Sequence, residues 1–116
     1  MLVANGMKQY VLDELRMGDQ QRLKAYLDEQ FQEPPLDGIY WLKIPVRHLS
    51  PTQRQHEVCQ PFYFPLELRQ GALWVELLVR SQTRIRCDCI TYASAEQQRW
   101  LVARIDAMLA ALEIQI

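Results

Sequence analysis

Apolar and polar residues alternate with period two through three successive stretches, residues 62–69, 73–80 and 84–92. Each reads as a β-strand with one face turned to a core and the other to water. One face carries Phe62, Phe64, Leu66, Leu68, Leu73, Val75, Leu77, Val79, Ile85, Cys87 and Cys89. Its opposite carries Glu67, Arg69, Trp74, Glu76, Leu78, Arg80, Arg84, Arg86 and Asp88. Gln70-Gly71-Ala72 and Ser81-Gln82-Thr83 supply the turns of an antiparallel meander. A fourth strand is predicted over residues 38–46, where β-branched and aromatic residues dominate and Pro45 marks an edge or exit.

Helical spacing takes over elsewhere. Val11, Leu12 and Leu15 predict a helix over residues 8–16, stopped at Met17-Gly18. Asp19 caps a second helix running to about Gln30, with Leu23, Tyr26, Leu27 and Phe31 on one face, and Pro34-Pro35 ends it. Together these predict an N-terminal αα-hairpin. Ser50-Pro51-Thr52-Gln53 spells a capping box and a short helix to about Glu57, with His56 near its end. A second capping box, Ser94-Ala95-Glu96-Gln97, opens a long helix with Trp100, Leu101, Ile105, Met108, Leu109 and Leu112 as its buried stripe. Residues 112–116 read as its fraying end in preference to a terminal strand.

The expected fold is α+β: an antiparallel sheet of about four strands, with the αα-hairpin and the long C-terminal helix packed on one face. No repeat or linker divides the chain, so residues 1–116 read as one domain. Residues 1–6 read as a disordered extension ahead of an alternative start at Met7.

Composition narrows the function classes. At 49% hydrophobic and 23% charged the chain is globular, and its net charge of −1 gives no pull toward nucleic acid or anionic membrane. No stretch reaches the roughly 18 apolar residues of a membrane span. An odd number of cysteines opposes a disulfide framework, so a reducing cytoplasm is expected.

The candidate chemistry lies in two clusters, His56 with Cys59 (H-x-x-C) and Cys87 with Cys89 (C-x-C). Four such ligands are the minimum for a structural zinc site. The first pair suits chelation. The second does not on a regular strand, where residues i and i+2 stand about 6.5–7 Å apart. Two thiolates on one tetrahedral zinc need sulfurs about 3.8 Å apart. A zinc site therefore requires a bulge or strand end at Asp88 and a short helix that carries His56 and Cys59 over that edge. Burial of Cys87 and Cys89 in the apolar face, with Cys59 filling a gap, is the reading favoured over the metal. Extended geometry likewise opposes a Cys87–Cys89 disulfide.

Other sites are weaker. Arg80, Arg84, Arg86, Arg69 and Trp74 could face single-stranded nucleic acid, but Glu67, Glu76 and Asp88 share that face and absorb the charge. None of the common nucleotide-binding, zinc-protease or serine-hydrolase motifs is present. A nucleophile pair of Cys59 with His48 or His56 lacks an orienting third group. Trp41, Tyr63, Trp74 and Leu78 fall on the wet side of the sheet and form a candidate interaction surface. The leading expectation is thus a non-enzymatic cytoplasmic interaction module, self-associating as a homodimer, without cofactor, nucleic acid or membrane partner. The alternatives are a small zinc-stabilised domain using His56, Cys59, Cys87 and Cys89, and a small cysteine-dependent enzyme.

Overall fold

The structure, a computed structural model, describes residues 2–4, 7–31, 39–69, 71–81, 83 and 86–115. In chain order the elements are β1 (Leu2–Ala4), β2 (Met7–Leu12), α1 (Met17–Gln30), β3 (Ile39–Lys43), α2 (Pro51–Gln55), β4 (Phe62–Arg69), β5 (Ala72–Glu76), β6 (Arg80–Ser81) and α3 (Ala95–Ala111). Short 3₁₀ turns occupy Val46–His48 and Glu57–Cys59.

The architecture is mixed α+β around an antiparallel sheet ordered β1-β2-β5-β4-β3, with β6 also paired to β4. On β4, alternation places Phe62, Phe64, Leu66 and Leu68 in the core, and on β5 Leu73 and Val75 join them. Leu23 and Leu27 of α1 and Leu101, Ile105, Met108 and Leu109 of α3 enter the same cluster. One apolar sheet face, buried under amphipathic helices, is the stable way to hide both patterns.

The N-terminal αα-hairpin is not formed. Residues 7–12 are a strand, pairing Tyr10 with Val75 and Leu12 with Leu73. Three apolar residues within two turns are too few to offset the cost of nucleating a helix, whereas β2 completes the hydrogen bonding of an otherwise open β5. Tyr10 and Leu12 pack on the core from that position. Glu14, at φ 61, then breaks the chain direction. Met17-Gly18, expected as a stop, instead opens α1. Within the segment expected as an extension, Leu2–Ala4 pairs with β2.

The meander is also corrected in its third strand. Phe62 pairs with Ser81 and Leu66 with Val75, so a step of four residues on β4 faces six on the other strand. The surplus lies at residues 77–79, which turn their hydrogen bonds outward. Val79 N–H donates to Thr91 O (2.9 Å), Ala93 N–H donates to Leu77 O (2.8 Å), and Leu78 bridges Tyr92. Pairing with β4 ends at Ser81, and residues 87–90 form a turn in place of a strand, closed by Ile90 N–H to Cys87 O (3.0 Å). Ile85 and Arg84 lie outside the described residues.

Both capping boxes form. Gln53 N–H reaches Ser50 Oγ (3.1 Å) while Ser50 N–H reaches Gln53 Oε1 (3.0 Å). The same reciprocal pair joins Ser94 and Gln97. Residues 112–115 form no strand; Glu113 takes φ 56 and Ile114 N–H donates to Leu109 O, ending α3 in a turn.

Candidate metal centre

His56 ends α2, its N–H shared between Thr52 O (3.2 Å) and Gln53 O (3.3 Å). The chain then passes into the 3₁₀ turn, closed by Cys59 N–H to His56 O (3.0 Å). In a 3₁₀ turn side chains three apart eclipse one another, so His56 and Cys59 are aimed the same way. On the other side, the turn at residues 87–90 puts Cys87 at its first corner and Cys89 at its third. This bends the backbone at Asp88 and removes the extended spacing that separates i and i+2 on a strand.

The two segments meet. One ligand atom from each of His56, Cys59, Cys87 and Cys89 lies within 4.8 Å of all the others. Cys59 Sγ and Cys87 Sγ are 3.8 Å apart, the edge of a tetrahedron with zinc–sulfur bonds near 2.3 Å. His56 Nδ1 lies 3.0 Å from Cys87 Sγ, inside the roughly 3.5 Å edge expected between nitrogen and sulfur on zinc. The longest separation needs to close by about one ångström to reach the same polyhedron. The quartet can hold a metal ion. Both demands set by the sequence, a bend at Asp88 and a helix end carried over it, are met.

Burial and ligation are not alternatives here. Cys59 (2% exposed) and Cys89 (0%) are members of the core cluster, while His56 and Cys87 are half-buried at the outer side. The thiols are electrostatically unequal. Hydrogen bonds from the Cys89 thiol and backbone N–H, joined by His56 and Cys59, lower Cys87 from 9.0 to about 7 against the opposing effect of burial. Burial, and then the hydrogen bond to Cys87, raises Cys89 to about 12. The outer thiol is thus the more acidic of the two, and the buried one the less acidic.

A shell of polar groups fixes the two turns. Ser81 Oγ donates to Cys59 O, and Thr83 Oγ1 donates to Val58 O (3.0 Å). Gln53, fully buried, donates from Nε2 to Cys89 O (3.2 Å) and accepts at Oε1 from Gln97 Nε2 (2.9 Å). Gln97 Nε2 also donates to His48 O (2.9 Å). Gln60 Nε2 donates to Gln53 O and Arg54 O, tying off α2. None of these positions stood out by sequence, except that both capping boxes put a glutamine at the third helical residue.

The remaining candidates disperse. His48 is engaged with Glu96 (Nδ1 to Oε1, 2.8 Å) and lies against the Trp100 ring at 5.7 Å, while His56 pairs with Cys87. Arg80 is paired with Glu76 at 2.6 Å, and Arg69 lies 5.1 Å over Trp74 and 3.8 Å from Glu67. Trp41 and Tyr63 meet edge to face at 5.9 Å, and the Trp41 indole N–H is shielded from solvent with no acceptor among the described residues. Trp41, Tyr63, Trp74 and Leu78 are all half-buried, with Leu78 in the bulge. Among the described residues no helix is long and apolar enough to cross a membrane.

Comparison with protein-family models, with curated proteins and with solved structures finds no match to this chain.

Proposed function

We propose that this chain is a small α+β domain stabilised by one structural zinc ion held by His56, Cys59, Cys87 and Cys89. The observation that carries this reading is the convergence of four ligand atoms within 4.8 Å, drawn from turns 28 and 31 residues apart. Three sulfurs and an imidazole are a borderline-soft set that favours zinc over magnesium or calcium. Four protein ligands leave no open coordination position, which suits a structural ion rather than a catalytic one. Ser81, Thr83 and Gln53 would act as the outer shell, since they hold the carbonyls beside the ligands and leave the sulfurs free.

Binding deprotonates the thiols, so the ion takes the place of their protons on sulfurs that lie wholly or partly buried. Metal analysis of protein purified without chelator tests the reading. One zinc per chain is expected. Replacement by cobalt should give the visible bands of a tetrahedral, thiolate-rich site. Less than about half an equivalent of zinc, in protein that is folded and reduced, overturns it, because structural sites bind tightly.

A further inference from the structure

The four ligands differ in what can reach them, and the difference is ordered. Cys59 and Cys89 are 2% and 0% exposed, while Cys87 is half-buried at the rim of the cluster. A small oxidant arriving from solvent therefore meets the Cys87 sulfur first. A thiol placed to follow is that of Cys59, whose sulfur lies 3.8 Å away. A disulfide bond is about 2.05 Å long, so the two sulfurs must approach by less than 2 Å. That is within reach of side-chain rotation in a short 3₁₀ turn. Cys89 is less able to compete for Cys87. It sits two residues away inside a closed turn, its carbonyl is held by Gln53, and its side chain is fully buried.

We infer that Cys87 is a peroxide-sensitive modification site, and that its oxidation links it to Cys59 and discharges the metal. The metal arm of this inference rests on the zinc reading above; the disulfide arm does not. In the first step the Cys87 thiolate attacks one oxygen of a small hydroperoxide. A sulfur–oxygen bond forms, the oxygen–oxygen bond breaks, and the leaving oxygen takes a proton to depart as water or alcohol. In the second step the Cys59 thiolate attacks the Cys87 sulfur. The sulfur–sulfur bond forms, the sulfur–oxygen bond breaks, and the departing hydroxide is protonated to water. Two thiolates have lost two electrons and the hydroperoxide has gained them. His56 and Cys89 remain as ligands, and half of a tetrahedral set does not retain zinc against a competing chelator.

The experiment is hydrogen peroxide titration of the purified chain in the presence of a chromogenic zinc chelator, followed by intact mass and peptide mapping. Release of one zinc per chain is expected, in step with the loss of two hydrogens. Trypsin should yield residues 55–69 joined to residues 87–99, and cleavage before Asp88 assigns the bond to Cys87. Dithiothreitol and fresh zinc should restore the loaded state. Cys89→Ser should still form the cross-link, and Cys59→Ser should stop at a sulfenic acid on Cys87 that dimedone traps. If no zinc accompanies the purified chain, the zinc reading fails, but the same map still tests the disulfide. A cross-link to Cys89, or sulfinic acid on Cys87 with Cys59 left free in the unmodified sequence, overturns the inference. So does oxidation that leaves the zinc in place.

Discussion

Replacing Gln53 by methionine keeps the length of the side chain and deletes three hydrogen bonds at a fully buried position. The Ser50 hydroxyl still caps the Gln53 backbone N–H, but the return half of the box is lost, at about 0.5 kcal/mol. The Cys89 carbonyl is left without its amide partner, which costs about 1–3 kcal/mol for a buried acceptor. Gln97 loses one acceptor and keeps His48 O, a further ~1 kcal/mol. The sum is about 3 kcal/mol, which for a chain of this size lowers Tm by roughly 10 °C. Urea titration of Gln53→Met, Gln97→Met and the double variant gives the free energies directly. The coupling between the two sites should be about 1 kcal/mol, the worth of the amide–amide hydrogen bond. Gln53→Met should also weaken zinc, because it frees the turn that carries Cys87 and Cys89, with an expected loss of 10-fold or more. A loss of stability below about 1 kcal/mol with unchanged metal affinity would refute the argument that this buried pair holds the site.

Other perturbations test other parts of the molecule. Asp28 is held below its usual range chiefly by the Tyr40 hydroxyl and then by Lys24; a depressed carboxyl contributes stability that is present above the unfolded value and lost as pH falls through the folded one. Asp28→Asn and Tyr40→Phe should therefore each narrow their deficit against the parent as pH falls below 4, and a deficit that is constant with pH removes the carboxylate from the account. Gly71 has φ 77 and a Cβ there would stand 3.4 Å from Leu15 O, so Gly71→Ala should lose about 1 kcal/mol with an unchanged denaturant slope. Chelation of the metal should accelerate amide exchange at Cys59 and Ile90, whose N–H groups close the two ligand turns, while β4 and α3 stay protected by the core; equal loss of protection throughout would show that the core does not stand alone.

Much of the fold was legible because the signals were local. Both capping boxes name their own partners within four residues, and the alternation over Phe62–Arg69 reports which side chains are buried in β4. The N-terminal strand was missed because Val11 and Leu12 fit one helical turn as well as one strand, and only the distant β5 decides between them. The third meander strand is over-predicted for the opposite reason: alternation through Ile85, Cys87 and Cys89 continues past Ser81, where the pairing with β4 ends. That same alternation favours a core reading of the thiols, which the burial of Cys59 and Cys89 matches. The four residues are visible by count, yet their convergence depends on a turn at Asp88 for which Asp is only a weak signal. Ser81 and Thr83 read as turn residues, and nothing in their spacing says that they hold the carbonyls of the facing segment.

The turn at residues 87–90 also has a consequence for the unfolded chain. An ion shared by Cys59 and Cys87 ties together positions 28 residues apart and encloses the whole β4–β6 excursion in a ring. For a cross-link of that span, chain statistics assign about 3.5 kcal/mol to the configurations forbidden to the denatured ensemble. Such a contribution depends on which residues are joined and only weakly on how tightly the ring is packed once folded. The two turns would then act at a distance from themselves: they restrict the freedom of three strands that never touch the metal.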